Sequence, residues 1–116
     1  MTKVLVVEDD FTMITLLSTL LKMEGYVTNA LMEMNGDLLD HIRQESPDII
    51  ILDVLLGNLN GIDLVRKLRQ SADLKDTKVI MVSGLDRGTE CREAGANDFL
   101  LKPFMPDELI TKLQAL

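Results

Sequence analysis

Hydrophobic residues are grouped along the chain in short continuous runs and in helical stripes. The continuous runs are Val4 to Val7, Ile49 to Leu52, Val79 to Val82 and Phe99 to Leu101. Short apolar runs rich in β-branched residues are typical of strands buried on both faces of a parallel sheet. The run from Ile49 stops at Asp53, so Asp53 is predicted at the carboxyl end of a central strand. The more polar stretch Val27 to Leu31 predicts a fifth strand at the sheet edge.

Apolar positions spaced three and four residues apart predict a helix after each strand. The helices are expected over Phe11 to Glu24, after a cap at Asn35, after Gly61, over Thr89 to Ala94 with Thr89 as cap, and from Pro106 onward. Their predicted inward faces are Met13, Ile14, Leu16, Leu17, Leu20 and Leu21; Leu38, Leu39 and Ile42; Ile62, Leu64, Val65 and Leu68; Leu109, Ile110, Leu113 and Leu116. This alternation predicts an α/β fold, a doubly wound sheet of five parallel strands with helices on both faces.

The composition limits the class of protein. With 116 residues, 47% of them hydrophobic, the chain is predicted to form a single domain over residues 1–116. The net charge of -7 disfavours direct contact with nucleic acid or an anionic membrane, because phosphates would be repelled. The lone Cys91 excludes an internal disulfide, and no apolar run suits a membrane helix or cleavable signal. A soluble cytoplasmic protein is expected.

Four of the predicted strands end in side chains that could bind a ligand or take part in a reaction. They are Glu8 and Asp9, Asp53, Ser83, and Lys102. Ligands of open α/β sheets bind beyond the carboxyl ends of the strands, so these side chains are expected to converge. Neighbouring carboxylates repel one another by roughly 4 kcal/mol per pair at an effective dielectric constant of about 20, so either one carboxyl holds a proton or a divalent cation binds. We favour Mg²⁺, with Asp53 as a nucleophile for phosphoryl transfer and Lys102 and Ser83 stabilising the transferred group.

Simpler explanations apply to some of these residues taken singly. Asp10 is better explained as the cap of the first helix. Lys102 alone would fit a solvated turn before Pro103. Asp53 is separated from the next helix by the loop Val54 to Asn60, so capping does not explain it. The conjunction of the four strand endings is what supports a shared site.

Together these motifs resemble the receiver domain of two-component response regulators over essentially the full chain. Residues 4–10, Val-Leu-Val-Val-Glu-Asp-Asp, resemble the acidic cluster of that family, and residues 49–53, Ile-Ile-Ile-Leu-Asp, resemble its phosphoacceptor strand. Met-Val-Ser-Gly at 81–84 and Phe-Leu-Leu-Lys-Pro-Phe at 99–104 resemble its hydroxyl and lysine-proline motifs. The expected fold is flavodoxin-like with strand order 2-1-3-4-5.

The resemblance implies a role for each matching residue. Asp9 would bind Mg²⁺ directly and Glu8 through water, Asp53 would bind the ion and accept the phosphoryl group, and Leu55 would supply a backbone carbonyl to the ion. Ser83 and Phe99 would form the switch, the aromatic ring turning inward as Ser83 moves to the phosphoryl group. The Lys102-Pro103 peptide bond would be cis.

Two departures from the family pattern change the expectations. Gly57 stands where the family usually has proline, which should loosen the loop after Asp53. The spacing from Ser83 to Lys102 is shorter than usual by nearly one helical turn, so the fourth helix should be shortened. The usual signalling face, formed by the fourth helix, fifth strand and fifth helix, is therefore less certain to be used.

The function implied is a phosphorylation-dependent signalling switch, not an enzyme acting on a separate substrate. The expected partners are a sensor histidine kinase or a histidine phosphotransfer protein and an output partner, with a phosphorylation-dependent dimer left open. No direct contact with nucleic acid or membrane is expected. The end of the last helix at Leu116 is compatible with a single-domain regulator and with a receiver cut from a longer protein.

Three other functions compete with this one. A degenerate receiver could act only as a protein-docking module, although the acidic set is intact. An aspartate-nucleophile phosphatase would need a second Asp where Leu55 stands. A flavodoxin-like electron carrier would need a hydroxyl-rich phosphate loop after the first strand, where the acidic residues Glu8 to Asp10 would instead repel phosphate.

Overall fold

The structure, a computed structural model, describes residues 1–31, 37–57 and 59–116. Its strands are β1 (Lys3–Val7), β2 (Val27–Leu31), β3 (Ile49–Asp53), β4 (Leu55–Leu56), β5 (Leu59–Asn60), β6 (Lys78–Ser83) and β7 (Asp98–Leu101). Its helices are α1 (Phe11–Met23), α2 (Leu38–Glu45), α3 (Gly61–Gln70), α4 (Gly88–Ala94) and α5 (Pro106–Gln114).

Five strands form one parallel sheet in the order β2-β1-β3-β6-β7. The two-residue strands β4 and β5 were not predicted; they form a separate antiparallel hairpin inside the expected loop 54–60, turning at Gly57, which has a φ of 56°. With this hairpin set aside, the order is the predicted 2-1-3-4-5. The flavodoxin-like fold class is therefore confirmed, with β2 at an edge and every residue of β3 buried.

Alternate side chains of the sheet serve two separate cores. Ile50 and Leu52 of β3 face a cluster built with α2, α3 and α4, whereas Ile49 and Ile51 face a cluster built with α1 and α5. Helices therefore cover both faces of the sheet. This explains why the central strand is apolar at consecutive positions, since neither face of it meets water.

Most predicted inward faces are buried, and two positions were wrong. Leu16 is exposed because α1 covers the sheet with only one stripe of its surface, centred on Leu17 and Leu21. Leu116 is exposed because it lies beyond the end of α5. None of the helices in residues 1–31, 37–57 and 59–116 has the length and apolarity to cross a membrane.

Two predicted helix caps also need correction. Asn35 lies outside the described residues, and the N-cap of α2 is Asp37, whose Oδ1 accepts a hydrogen bond from the Leu39 amide at 2.9 Å. Thr89 is not the cap of α4, because that helix already begins at Gly88, whose amide donates to Asp86 Oδ1 at 3.3 Å. The helix has seven residues, about the two turns that were predicted, and it ends as predicted at Gly95, which has a φ of 117°.

Candidate functional site

Strand register places the predicted site residues side by side at the edge of the sheet where the parallel strands have their carboxyl ends. Val7 pairs with Leu52 between β1 and β3, so Glu8 and Asp53, each one residue further along, emerge as neighbours. Ser83 ends β6, and Lys102 follows β7 immediately. Glu8 and Asp53 are only 2% and 8% exposed. The edge therefore holds two carboxylates that are largely withdrawn from water.

The Lys102 ammonium group joins these carboxylates. Its Nζ donates to Asp53 Oδ2 at 2.6 Å and to Glu8 Oε2 at 3.1 Å. The Lys102 amide donates to the Ser83 carbonyl at 2.8 Å, which ties the lysine to the end of β6. The Lys102-Pro103 peptide bond is cis, as the resemblance implies. The structure thus brings Glu8, Asp53 and Lys102 into direct contact.

The charges in this cluster do not balance. The pKa of Glu8 is raised to about 7; burial is the largest cause, the hydrogen bond from Lys102 acts against it, and the charge of Asp53 adds to it. Burial lowers the pKa of Lys102, but its bonds to Asp53 and Glu8 outweigh burial, so this pKa is raised overall. One ammonium group shared by two carboxylates leaves negative charge unneutralised in a partly desolvated site.

Asp53 is held by the backbone around it. Its Oδ1 accepts a hydrogen bond from the Leu55 amide at 2.9 Å, and the Gly61 amide donates to the Val54 carbonyl at 2.7 Å. A Cβ atom at Gly61 would lie 2.5 Å from the Asp53 carbonyl oxygen. Gly61 is therefore a positioning residue whose role the sequence did not predict. The available signal was the glycine that begins the helix after the loop following Asp53.

Other acidic and hydroxyl residues lie at the edge of this cluster. Asp10 caps α1, as predicted, with Oδ1 accepting from the amides of Thr12 and Met13. Asp9 is exposed. The hydroxyl oxygen of Ser83 accepts a hydrogen bond from the Leu85 amide at 3.2 Å.

The described part of the chain has no set of three or more His, Cys, Asp or Glu side chains gathered closely enough to hold a metal ion. Glu8 and Asp53 are instead both engaged by Lys102.

The Phe99 ring lies inside the core between the sheet and α4. It is 7% exposed and belongs to the cluster that contains Cys91 and Ala94 of α4. The resemblance implies that this ring turns inward when Ser83 moves to a phosphoryl group. Here the inward ring coexists with a Ser83 hydroxyl bonded to the Leu85 amide.

A comparison with protein families agrees with this geometry. The family model described as the response regulator receiver domain matches residues 4–114. The chain belongs to this family. The receiver domain is 38% identical to the transcriptional regulatory protein CpxR of Klebsiella pneumoniae over 100% of this chain and 49% of that protein. It is 34% identical to the DNA-binding response regulator MtrA of Mycolicibacterium paratuberculosis over 97% of this chain and 50% of that protein.

A solved structure extends the likeness to the fold. The chemotaxis response regulator CheY4 of Vibrio cholerae superposes on the receiver domain with a TM-score of 0.88 at 28% identity, covering 99% of this chain and 98% of that chain. The chain spans about half the length of the curated relatives that it matches. DNA binding is named for MtrA, so the prediction of no direct nucleic-acid contact receives no support from the relatives.

Proposed function

We propose that this receiver domain is a phosphorylation-dependent switch of a two-component system, in which Asp53 accepts a phosphoryl group from a phosphohistidine. The observation that carries the proposal is the 2.6 Å contact between Asp53 Oδ2 and Lys102 Nζ at the buried end of β3. The P–N bond of the donor would break as a P–O bond to Asp53 forms, and the imidazole would leave with the electron pair and take up a proton. Lys102 would stabilise the charge on the phosphoryl oxygens.

Mg²⁺ fits the charge and the donor atoms of this site. A single ammonium group, that of Lys102, pairs with both Glu8 and Asp53, and carboxylate and carbonyl oxygens are the ligands that this ion prefers. Asp9, Glu8, Asp53 and the Leu55 carbonyl would hold the ion. When bound, it would neutralise part of the charge on the phosphoryl group. The exposure of Asp9 is compatible with a side chain that joins the set only with the ion.

The Ser83 hydroxyl would respond to phosphorylation of Asp53. In its 3.2 Å bond to the Leu85 amide the hydroxyl oxygen is the acceptor, so the hydroxyl hydrogen can be donated to a phosphoryl oxygen on Asp53. The phosphoryl donor would be a sensor histidine kinase or a histidine phosphotransfer protein, acting in the cytoplasm. The domain would catalyse only its own phosphorylation and hydrolysis, and an output partner would read the change.

The phosphoacceptor is tested by incubation with acetyl phosphate and Mg²⁺, followed by intact mass measurement. The native chain should gain one phosphoryl group, and Asp53→Asn should gain none. Asp63→Asn is a matched control, since this exposed carboxylate lies on α3 and pairs with Arg66 at 2.9 Å. Asp9→Ala should fold and lose the Mg²⁺-dependent reaction. An Asp53→Asn chain that gains the same mass as the native chain would disprove the assignment.

A further inference from the structure

The face of helix α4 that packs toward the Phe99 ring consists of small residues. The buried positions of α4 are Gly88, Cys91 and Ala94, which recur every three residues along one face. A Cβ atom at Gly88 would lie 3.3 Å from Phe99 Cδ2 and 3.1 Å from a terminal nitrogen of Arg92. The first distance is shorter than ordinary van der Waals contact. A side chain at position 88 would therefore press against the edge of the inward ring and require a shift of a few tenths of an ångström.

The glycine at position 88 is explained by this lack of space and not by backbone conformation. Positive φ angles among the described glycines occur at Gly25, Gly57 and Gly95, and Gly88 is not among them. Alanine is favoured over glycine in helices, so an unconstrained first residue of α4 would gain from a methyl group. The close contact with the Phe99 ring opposes that gain.

The two ends of α4 are held differently. At the carboxyl end, the Gly95 carbonyl accepts from Arg69 Nε at 2.8 Å, and Arg92 pairs with Asp98 at 3.1 Å. At the amino end, the cap residue Arg87 makes no side-chain capping bond. The bonds at the amino end are local ones, from the Gly88 amide to Asp86 Oδ1 at 3.3 Å and between Arg87 and Glu90 at 2.7 Å, and Gly88 lies five residues beyond Ser83, at the end of loop 84–87.

We propose that Gly88 is the positioning residue of the Phe99 switch: its missing side chain lets the amino end of α4 close over the ring and hold it inward. This inference rests on the proposed function of Asp53 and Ser83. The inward ring and the start of α4 form one packed unit, joined to Ser83 by loop 84–87. The size of residue 88 consequently sets the fraction of molecules with the ring inside, and so the fraction ready to bind a phosphoryl group.

The first test follows the ring itself in the absence of any ligand. With only three Phe and one Tyr in the chain, the aromatic resonances are readily assigned by NMR. The native protein should show nuclear Overhauser contacts between the Phe99 ring and Gly88, and Gly88→Val should shift the ring resonances strongly. Thr89→Val is the matched control, because Thr89 is the exposed neighbour on the same helix. Unchanged Phe99 resonances in Gly88→Val would overturn the inference.

The second test measures the apparent affinity for beryllium fluoride in Mg²⁺, a mimic of the phosphoryl group. Gly88→Val should weaken this affinity about fivefold or more, the effect expected when a side chain is forced into a packed core, and Thr89→Val should not change it. Phe99→Leu makes room, so the double variant should bind within about twofold of Phe99→Leu alone.

The outcomes separate the inference from the function on which it rests. If Gly88→Val and the native chain bind beryllium fluoride equally well, residue 88 does not control phosphoryl binding, and the proposed function still stands. Failure of the native chain to bind beryllium fluoride would overturn the proposed function and the coupling with it. If Gly88→Val does not fold, Gly88→Ala carries both comparisons with a single added methyl group.

Discussion

Gly61 at the start of α3 gives the sharpest test of how Asp53 is positioned. In Gly61→Ala the new Cβ would lie 2.5 Å from the Asp53 carbonyl oxygen and 3.1 Å from Val54 Cα. Relief requires a movement of roughly 1 Å, and the obstacle is backbone in the central strand and not a flexible side chain. Overpacking of this kind costs about 3 kcal/mol at the upper end of its usual range, offset by up to about 1 kcal/mol from the better helix propensity of alanine. We expect a net loss of about 2 kcal/mol.

The assay is urea unfolding followed by far-ultraviolet circular dichroism, since the chain has no Trp. The midpoint for Gly61→Ala should fall by roughly 1 M. Gly84→Ala is the matched control: the same substitution beside the site, where an added Cβ meets nothing within 4 Å. Its stability should stay within about 0.5 kcal/mol of the native value.

The same variant tests the alignment of the nucleophile. A displacement of about 1 Å at Asp53 should slow phosphorylation by acetyl phosphate by up to about a hundredfold, while Gly84→Ala reacts at the native rate. Equal stability and equal rates for the two alanine variants would show that the close approach of Gly61 to Asp53 places no constraint on the site.

Two further predictions concern the carboxylate cluster and its apolar surroundings. Leu55 and Leu85 are 57% and 68% exposed, and their amides bond to Asp53 and Ser83. We expect their side chains to flank the path of a water attacking a phosphoryl group on Asp53, and leucine cannot orient that water. A Leu55→Asn, Leu85→Glu double variant should therefore lose its phosphoryl group roughly tenfold to a hundredfold faster at saturating Mg²⁺, and an unchanged rate would place the control of water elsewhere. The folded-state pKa of Glu8, about 7, lies above its ordinary value of 4.5, so the stability that protonated Glu8 contributes is present below pH 4.5 and lost as pH rises through about 7. In EDTA, Glu8→Gln should gain up to about 3 kcal/mol in free energy of unfolding relative to the native chain between pH 4.5 and pH 8, and a difference that does not vary with pH would contradict this reasoning.

The five strands of the parallel sheet, the fold class and the common edge of the site were all predictable from the sequence. Burial on both faces forces β3 to be apolar at consecutive positions, and this is a local pattern that ends visibly at Asp53. Once the strands are parallel, their carboxyl ends share one edge of the sheet, so Glu8, Asp53, Ser83 and Lys102 had to lie near one another. Neither prediction needs knowledge of the distances between side chains.

Only the tertiary structure decided which of these groups touch. The bond from Lys102 to Glu8 joins residues 94 positions apart, and its length depends on the register of β1, β3, β6 and β7 together. The close approaches of Gly61 to Asp53 and of Gly88 to Phe99 likewise depend on how a helix settles on the sheet. Both appear in the sequence only as glycines at helix starts, because the periodicity of a helix records which face is buried but not how close its backbone comes to a neighbour.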